Sequence, residues 1–128
     1  MKPELMWLVW AVALAVVQML IAVTGATLQV GLPKLAGNRD DMPRLTGWVG
    51  RAQRAHYNML ESLVLFAALV LVAVAANRIN ATTAMGAQLF VWARLAYAVI
   101  YLAGIPWLRT LVWVASMAGL VIIFSQLL

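Results

Sequence analysis

Four stretches of this chain are each apolar for about twenty residues, the length a helix needs to cross the hydrocarbon of a bilayer. They run over about residues 5–24, 54–76, 85–104 and 108–128. Strands left open in lipid would carry unpaired backbone groups, so the spans must be helices. The fold class this predicts is an all-α membrane protein, a four-transmembrane-helix bundle occupying residues 1–128 as a single domain. Composition agrees: 66% of the residues are hydrophobic and only 10% charged, against about 45–50% and 25% in soluble domains. A cleaved leader would have an apolar core of about 7–15 residues. The first run is longer than that, so the first helix is expected to stay.

The connections differ in kind. Residues 25–50 contain Gly31, Pro33, Gly37, Asn38, Pro43 and Gly47, which read as one long loop. Asn77 to Asn80 begins a short turn, and Gly104-Ile105-Pro106 makes a tighter one, Gly ending one helix and Pro opening the next. Trp7, Trp10, Trp48 and Trp107 fall near expected helix ends, where interfacial aromatics belong. Lys34, Arg39, Arg44, Arg51, Arg54 and Arg109 flank the first and third connections, whereas the other side carries only Lys2 and Arg78. This bias places the long first loop in the cytoplasm and both termini on the opposite side.

The net charge of +5 does not make a nucleic-acid protein. Nine basic residues scattered along an apolar chain form no basic face. Cysteine is absent, which removes disulfides, thiolate metal ligands and a cysteine nucleophile. No metal cluster, phosphate loop or Ser/His/Asp arrangement is visible.

What remains is polar residues inside apolar helices. At about 100° per residue, Arg51, Arg54, Asn58 and Glu61 share roughly an 80° arc of the second span. Phe90, Arg94, Tyr97 and Tyr101 share roughly a 60° arc of the third. Arg109 and Thr110 open the fourth, with Trp113 one turn on. Ionisable groups at membrane depth are costly and face a protein interface or a wet site. Of the four acids, Glu4, Asp40 and Asp41 sit at the N-terminus or in the first loop, leaving Glu61 as the carboxylate inside a span. Arg54, Arg94 and Arg109 are its candidate partners, and a structural Glu61–Arg94 pair is one alternative. Asn58 as interhelical glue and Arg51 or Arg109 as head-group cations are others. His56 lies away from the stripe and reads as a packing residue. Arginines can fork carboxylates, a lone Glu can take an amine, and positive charge favours a thiolate. Glutathione suits this chemistry, as do other peptides.

The run Arg51-x-x-Arg54-Ala55-His56-x-Asn58-x-x-Glu61 resembles the signature of the MAPEG family, membrane-associated proteins in eicosanoid and glutathione metabolism. Phe90-x-x-x-Arg94-x-x-Tyr97-x-x-x-Tyr101-Leu102-x-Gly104, followed by Arg109, resembles that family's third helix and the start of its fourth. The resemblance implies a homotrimer of four-helix subunits, here of bacterial type in an inner membrane. Glutathione would lie between subunits in the cytoplasmic half as co-substrate. By motif position Arg54, Asn58 and Glu61 would hold it, with Tyr97 and Tyr101 contributing from the third helix and Arg51 in support. Arg109 would stabilise the thiolate, and Arg94 would brace the bundle. Members commonly carry an acid where Gly50 stands. Some prostaglandin-synthesising members have Ser, Tyr and His at the positions of Thr110, Trp113 and Tyr97. These departures argue against eicosanoid isomerase chemistry, while Tyr97 resembles the leukotriene-synthase and transferase branches. The expected function is a glutathione-dependent transferase or peroxidase acting on a lipophilic small molecule that enters from the membrane lipids. The alternatives are a non-catalytic binding or scaffold protein of the same fold, and a small proton-coupled exporter. Exporters of that type keep their acid in the first span, where none is expected here.

Overall fold

Pro3 opens the first helix, since its locked φ and missing N–H suit a first helical turn. A computed structural model describes residues 1–128, and five helices account for most of them: α1 Pro3–Val30, α2 Leu32–Ala36, α3 Gly47–Ala75, α4 Ala81–Ala103 and α5 Pro106–Ser125. Four of them, all but α2, are long and apolar enough to cross a membrane. There are no strands, and the chain is an all-α four-span bundle.

The helices overrun the apolar stretches at the loop end. α1 continues through Gly25 to Val30, and α3 begins at Gly47 rather than near residue 54. The expected loop over residues 25–50 is therefore shorter and contains the extra turn α2. Hydropathy marks the hydrocarbon, whereas a helix continues as long as its backbone is paired. At about 1.5 Å per residue, α1 and α3 each reach beyond about 40 Å, against about 30 Å of hydrocarbon. Gln29 closes the gap between them: its Oε1 accepts from the Thr46 backbone N–H at 2.8 Å, and its Nε2 donates to the Thr46 carbonyl at 3.2 Å.

At the other end α4 begins at Ala81, four residues before its apolar run. Asn80 caps it by accepting from the Thr83 N–H at 2.9 Å, while Thr83 Oγ1 accepts from the Asn80 N–H at 2.8 Å. Gly104 ends α4 in the left-handed conformation at φ 80°, and Pro106 opens α5.

Small residues set the spacing of the bundle, as is usual where lipid removes the hydrophobic drive for helix association. Ala11, Ala15, Ala22 and Ala26 form the buried stripe of α1. α4 and α5 make the most extensive pair. They cross at Gly86 and Gly119, where a Cβ on Gly119 would stand 2.7 Å from the Gly86 carbonyl oxygen. Phe66 and Phe90 stack at 4.2 Å between centroids in the centre, beside Met59, Val70 and Ile123. The opposite faces, including Val9, Val16, Leu20, Leu71 and Val121, are exposed and apolar and suit lipid contact.

One polar placement departs from expectation. Glu4 is not a free N-terminal acid: it lies in the first turn of α1, 2% exposed, and its Oε1 accepts from the Thr83 hydroxyl at 2.8 Å. The first span thus does carry an acid, at its end. It is buried because the α4 cap brings Thr83 against α1.

Candidate functional site

The site is built where the N-terminal half of α3 meets the C-terminal half of α4 and the start of α5. Arg51 lies on the first turns of α3, and its Nε donates to the Leu102 carbonyl at 3.1 Å. A cation at the carbonyl end of a helix complements the partial negative charge there. The same side chain fills the space beside Gly104, whose Cβ would stand 3.5 Å from Arg51 Nε.

One turn on, Arg54 is exposed and donates from Nε to the Tyr101 hydroxyl at 3.2 Å. Arg109, from α5, stacks over the face of the same ring, with Cζ 4.5 Å from its centroid. Tyr101 therefore holds guanidinium groups from two helices, one at its hydroxyl and one on its π face. Tyr97 sits one turn deeper, edge-on to Tyr101 at 5.5 Å, and is 4% exposed.

Asn58 joins this layer from the side. Its Oδ1 accepts from Arg94 Nη2 at 2.8 Å. Arg94 is 1% exposed and lies 4.2 Å over the Tyr97 ring. Its Nε and Nη1 have no hydrogen-bond partner. The cation is thus held by an amide and a ring face, and the alternative Glu61–Arg94 pair does not form. The reason is rotational: Glu61 is three residues after Asn58, about 60° around the helix, and stands exposed where Asn58 faces α4.

The structure therefore brings Arg51, Arg54, Asn58, Arg94, Tyr97, Tyr101 and Arg109 into one end of the bundle. Glu61 forms no hydrogen bond or ion pair with them and stands on the uncovered face of α3. Arg54 and Glu61 are both exposed on that helix, and Leu65 and Ala68 continue the face. Gly50 has no room for a side chain: its Cβ would meet the Leu45 carbonyl oxygen at 2.8 Å and Arg54 Nη1 at 3.2 Å. Thr110 and Trp113 are both exposed on α5, and Thr110 donates back to the Pro106 carbonyl.

His56 is buried, 8% exposed, on the side of α3 turned to α1. Sequence reasoning passed over Gln18, which is 7% exposed on the buried stripe of α1 with Oε1 unpartnered. A polar residue at the helical spacing of Ala11, Ala15 and Ala22 was the available signal.

No curated protein and no solved structure matches the chain. The family model described as MAPEG family matches residues 5–128, nearly the whole length. With that match and a four-span bundle gathering the motif residues at one end, the chain belongs to the MAPEG family.

Proposed function

We propose that this protein is a glutathione-dependent membrane enzyme, a transferase or peroxidase acting on lipophilic electrophiles. The observation that carries the reading is the Arg54–Tyr101–Arg109 assembly opening onto the same uncovered face of α3 as Glu61. Arg54 and Glu61 are seven residues apart, about 10 Å along the helix axis. A tripeptide spans about 10 Å when extended. Arg54 would fork one carboxylate of glutathione, Glu61 would take its α-amino group, and Asn58 would supply an amide between them. Tyr97 and Tyr101 would line the site from α4, with Arg51 fixing the end of that helix. Arg109 would stabilise the thiolate, which free thiols with pKa about 8.5 supply only sparsely at neutral pH. In the transferase reaction the thiolate sulfur bonds to the electrophilic carbon, whose leaving group departs with the bond electrons. Arg94, with its Asn58 bond, would brace the layer.

An exposed carboxylate halfway along a spanning helix is costly against hydrocarbon. Its cover in this reading is another copy of the chain, giving a homotrimer with glutathione between subunits. The gathering of basic residues at the loop end supports a cytoplasmic position for that end, with both termini opposite. The membrane is the inner membrane of a bacterium.

Calorimetry of the detergent-purified protein with glutathione tests the site. Saturable binding, weakened at least tenfold by Arg54→Ala and by Glu61→Gln, is expected. Unchanged affinity in both variants overturns the assignment. A chlorodinitroarene and an organic hydroperoxide then separate transferase from peroxidase. Binding without turnover of either favours a non-catalytic binding protein, a reading for which the closed space at Gly50 speaks.

A further inference from the structure

A buried guanidinium with no carboxylate beside it is a costly feature of a spanning bundle, and Arg94 is one. It is 1% exposed, and its Nε and Nη1 have no hydrogen-bond partner. Its one bond runs from Nη2 to Asn58 Oδ1 at 2.8 Å, and its Cζ lies 4.2 Å over the Tyr97 ring. Bracing alone is a poor account of such a group, since well-packed apolar side chains commonly serve a bundle as well as buried charges do. The effect of the bond on Asn58 is a better one.

An unheld amide can turn over and present either its oxygen or its nitrogen to a neighbour. A guanidinium carries donors only, so the atom that Arg94 holds has to be the oxygen. That leaves Nδ2 as the free end of the side chain. It bonds to no group of the chain and is not enclosed, Asn58 being half-buried. On α3, Asn58 lies about 40° and about 6 Å from Arg54, and about 60° and about 4.5 Å from Glu61. The amide therefore falls between the two exposed charged residues and offers only N–H donors there. Accepting from Arg94 also polarises the amide, which strengthens those donors.

We propose that Arg94 is a positioning residue that locks Asn58 as a donor, so that the site takes a ligand with a hydrogen-bond acceptor between its carboxylate and its amine. The inference rests on the glutathione reading, in which Arg54 takes a carboxylate and Glu61 the α-amine. In glutathione the acceptor is a peptide carbonyl oxygen. A ligand that turned a peptide N–H toward Asn58 would set donor against donor and leave both unpaired. Arg94 thus selects which edge of the peptide faces α3 without touching it.

Three measurements test this together: calorimetry with glutathione, the thermal midpoint in detergent, and the side-chain amide signals of protein labelled with 15N-asparagine. Glutathione is expected to shift the Asn58 amide protons of the wild type downfield, the signal being identified by its loss in Asn58→Asp. Asn58→Asp keeps the shape of the side chain and pairs with Arg94 by charge, so its thermal midpoint is kept or raised. It offers acceptors only, and its affinity for glutathione falls by about tenfold or more. Relative to wild type, that loss persists in about 1 M salt, where the screening length is about 3 Å. Arg94→Met frees the amide and lowers affinity about three- to tenfold, whereas Arg94→Lys keeps a donor and stays within about threefold of wild type. If Arg94→Met does not fold, Asn58→Asp decides. A folded Asn58→Asp or Arg94→Met that binds as wild type does, or an Asn58→Asp loss that salt abolishes, overturns the proposal. In those cases Arg54→Ala still weakens binding and the glutathione site stands. Wild-type protein that binds no glutathione overturns both.

Discussion

At Arg94 one buried cation has a single hydrogen-bonding side chain, Asn58, and one aromatic face, Tyr97. Removing one partner of a buried charge costs about 3–5 kcal/mol, because the charge left behind is uncompensated. Asn58→Leu is expected to lower stability by about that amount, seen as a large fall in the thermal midpoint in detergent, whereas Asn58→Asp keeps an acceptor and is tolerated better. Tyr101 carries the complementary case. Tyr101→Phe removes the acceptor of Arg54 Nε but keeps the ring under Arg109, so glutathione affinity should fall about five- to tenfold, in line with about 1–1.5 kcal/mol for an exposed bond. Calorimetry of the variant checks it. Glu4 shows why residue chemistry alone is incomplete. Its place in the sequence, beside Lys2 and Pro3, reads as a solvated terminus. Its partner comes from far along the chain: the cap of α4 delivers the hydroxyl of Thr83 to the carboxylate.

Among the elements, α4 and α5 are joined where Gly86 and Gly119 let two backbones touch. A methyl on Gly119 would stand 2.7 Å from the Gly86 carbonyl oxygen and 3.2 Å from Phe90 Cα, both backbone atoms that cannot swing aside. Gly119→Ala must separate the helices, and overpacking of this kind costs about 1–3 kcal/mol. Thermal unfolding in detergent is the measure. Gly104→Ala acts differently: at φ 80° a side chain is strained by about 1–2 kcal/mol, while its methyl would meet Arg51 only at ordinary contact distance. The four spanning helices were legible because apolar length is a local property, whereas the short α2 lay in what reads as loop. The ends of the spanning helices were not. Gln29 bonding to Thr46 and Asn80 to Thr83 extend helices past the hydrophobic runs, and neither pairing changes the hydropathy of the segment.

For the whole molecule, the proposed assembly of copies would be built on the uncovered face of α3. A single Cys at Leu65, on the same face as Glu61, is expected to cross-link copies of the chain in membranes, while one at Val9, on the apolar face of α1, is not. The chain has no cysteine of its own, so the products are unambiguous: with one thiol per copy, a disulfide-linked dimer beside unlinked monomer is the expected outcome. The same background allows topology to be read: a Cys at Asn38 should be labelled by an impermeant maleimide only from the cytoplasmic side.

The amino-acid sequence by itself determined four spanning helices, the family signature on the second and third, and the end of the bundle at which basic residues collect. These follow from composition within about twenty residues and from spacing along one helix. Only the tertiary structure decided which way each polar side chain faces. Asn58 turns to Arg94 while Glu61, within the same arc, stays uncovered. His56 closes a cleft with α1, and Glu4 is buried by α4. Helix rotation and crossing are set by contacts between small residues far apart in the chain, such as Gly86 with Gly119 and Gly25 with Val49. An arc drawn on one helix cannot contain them.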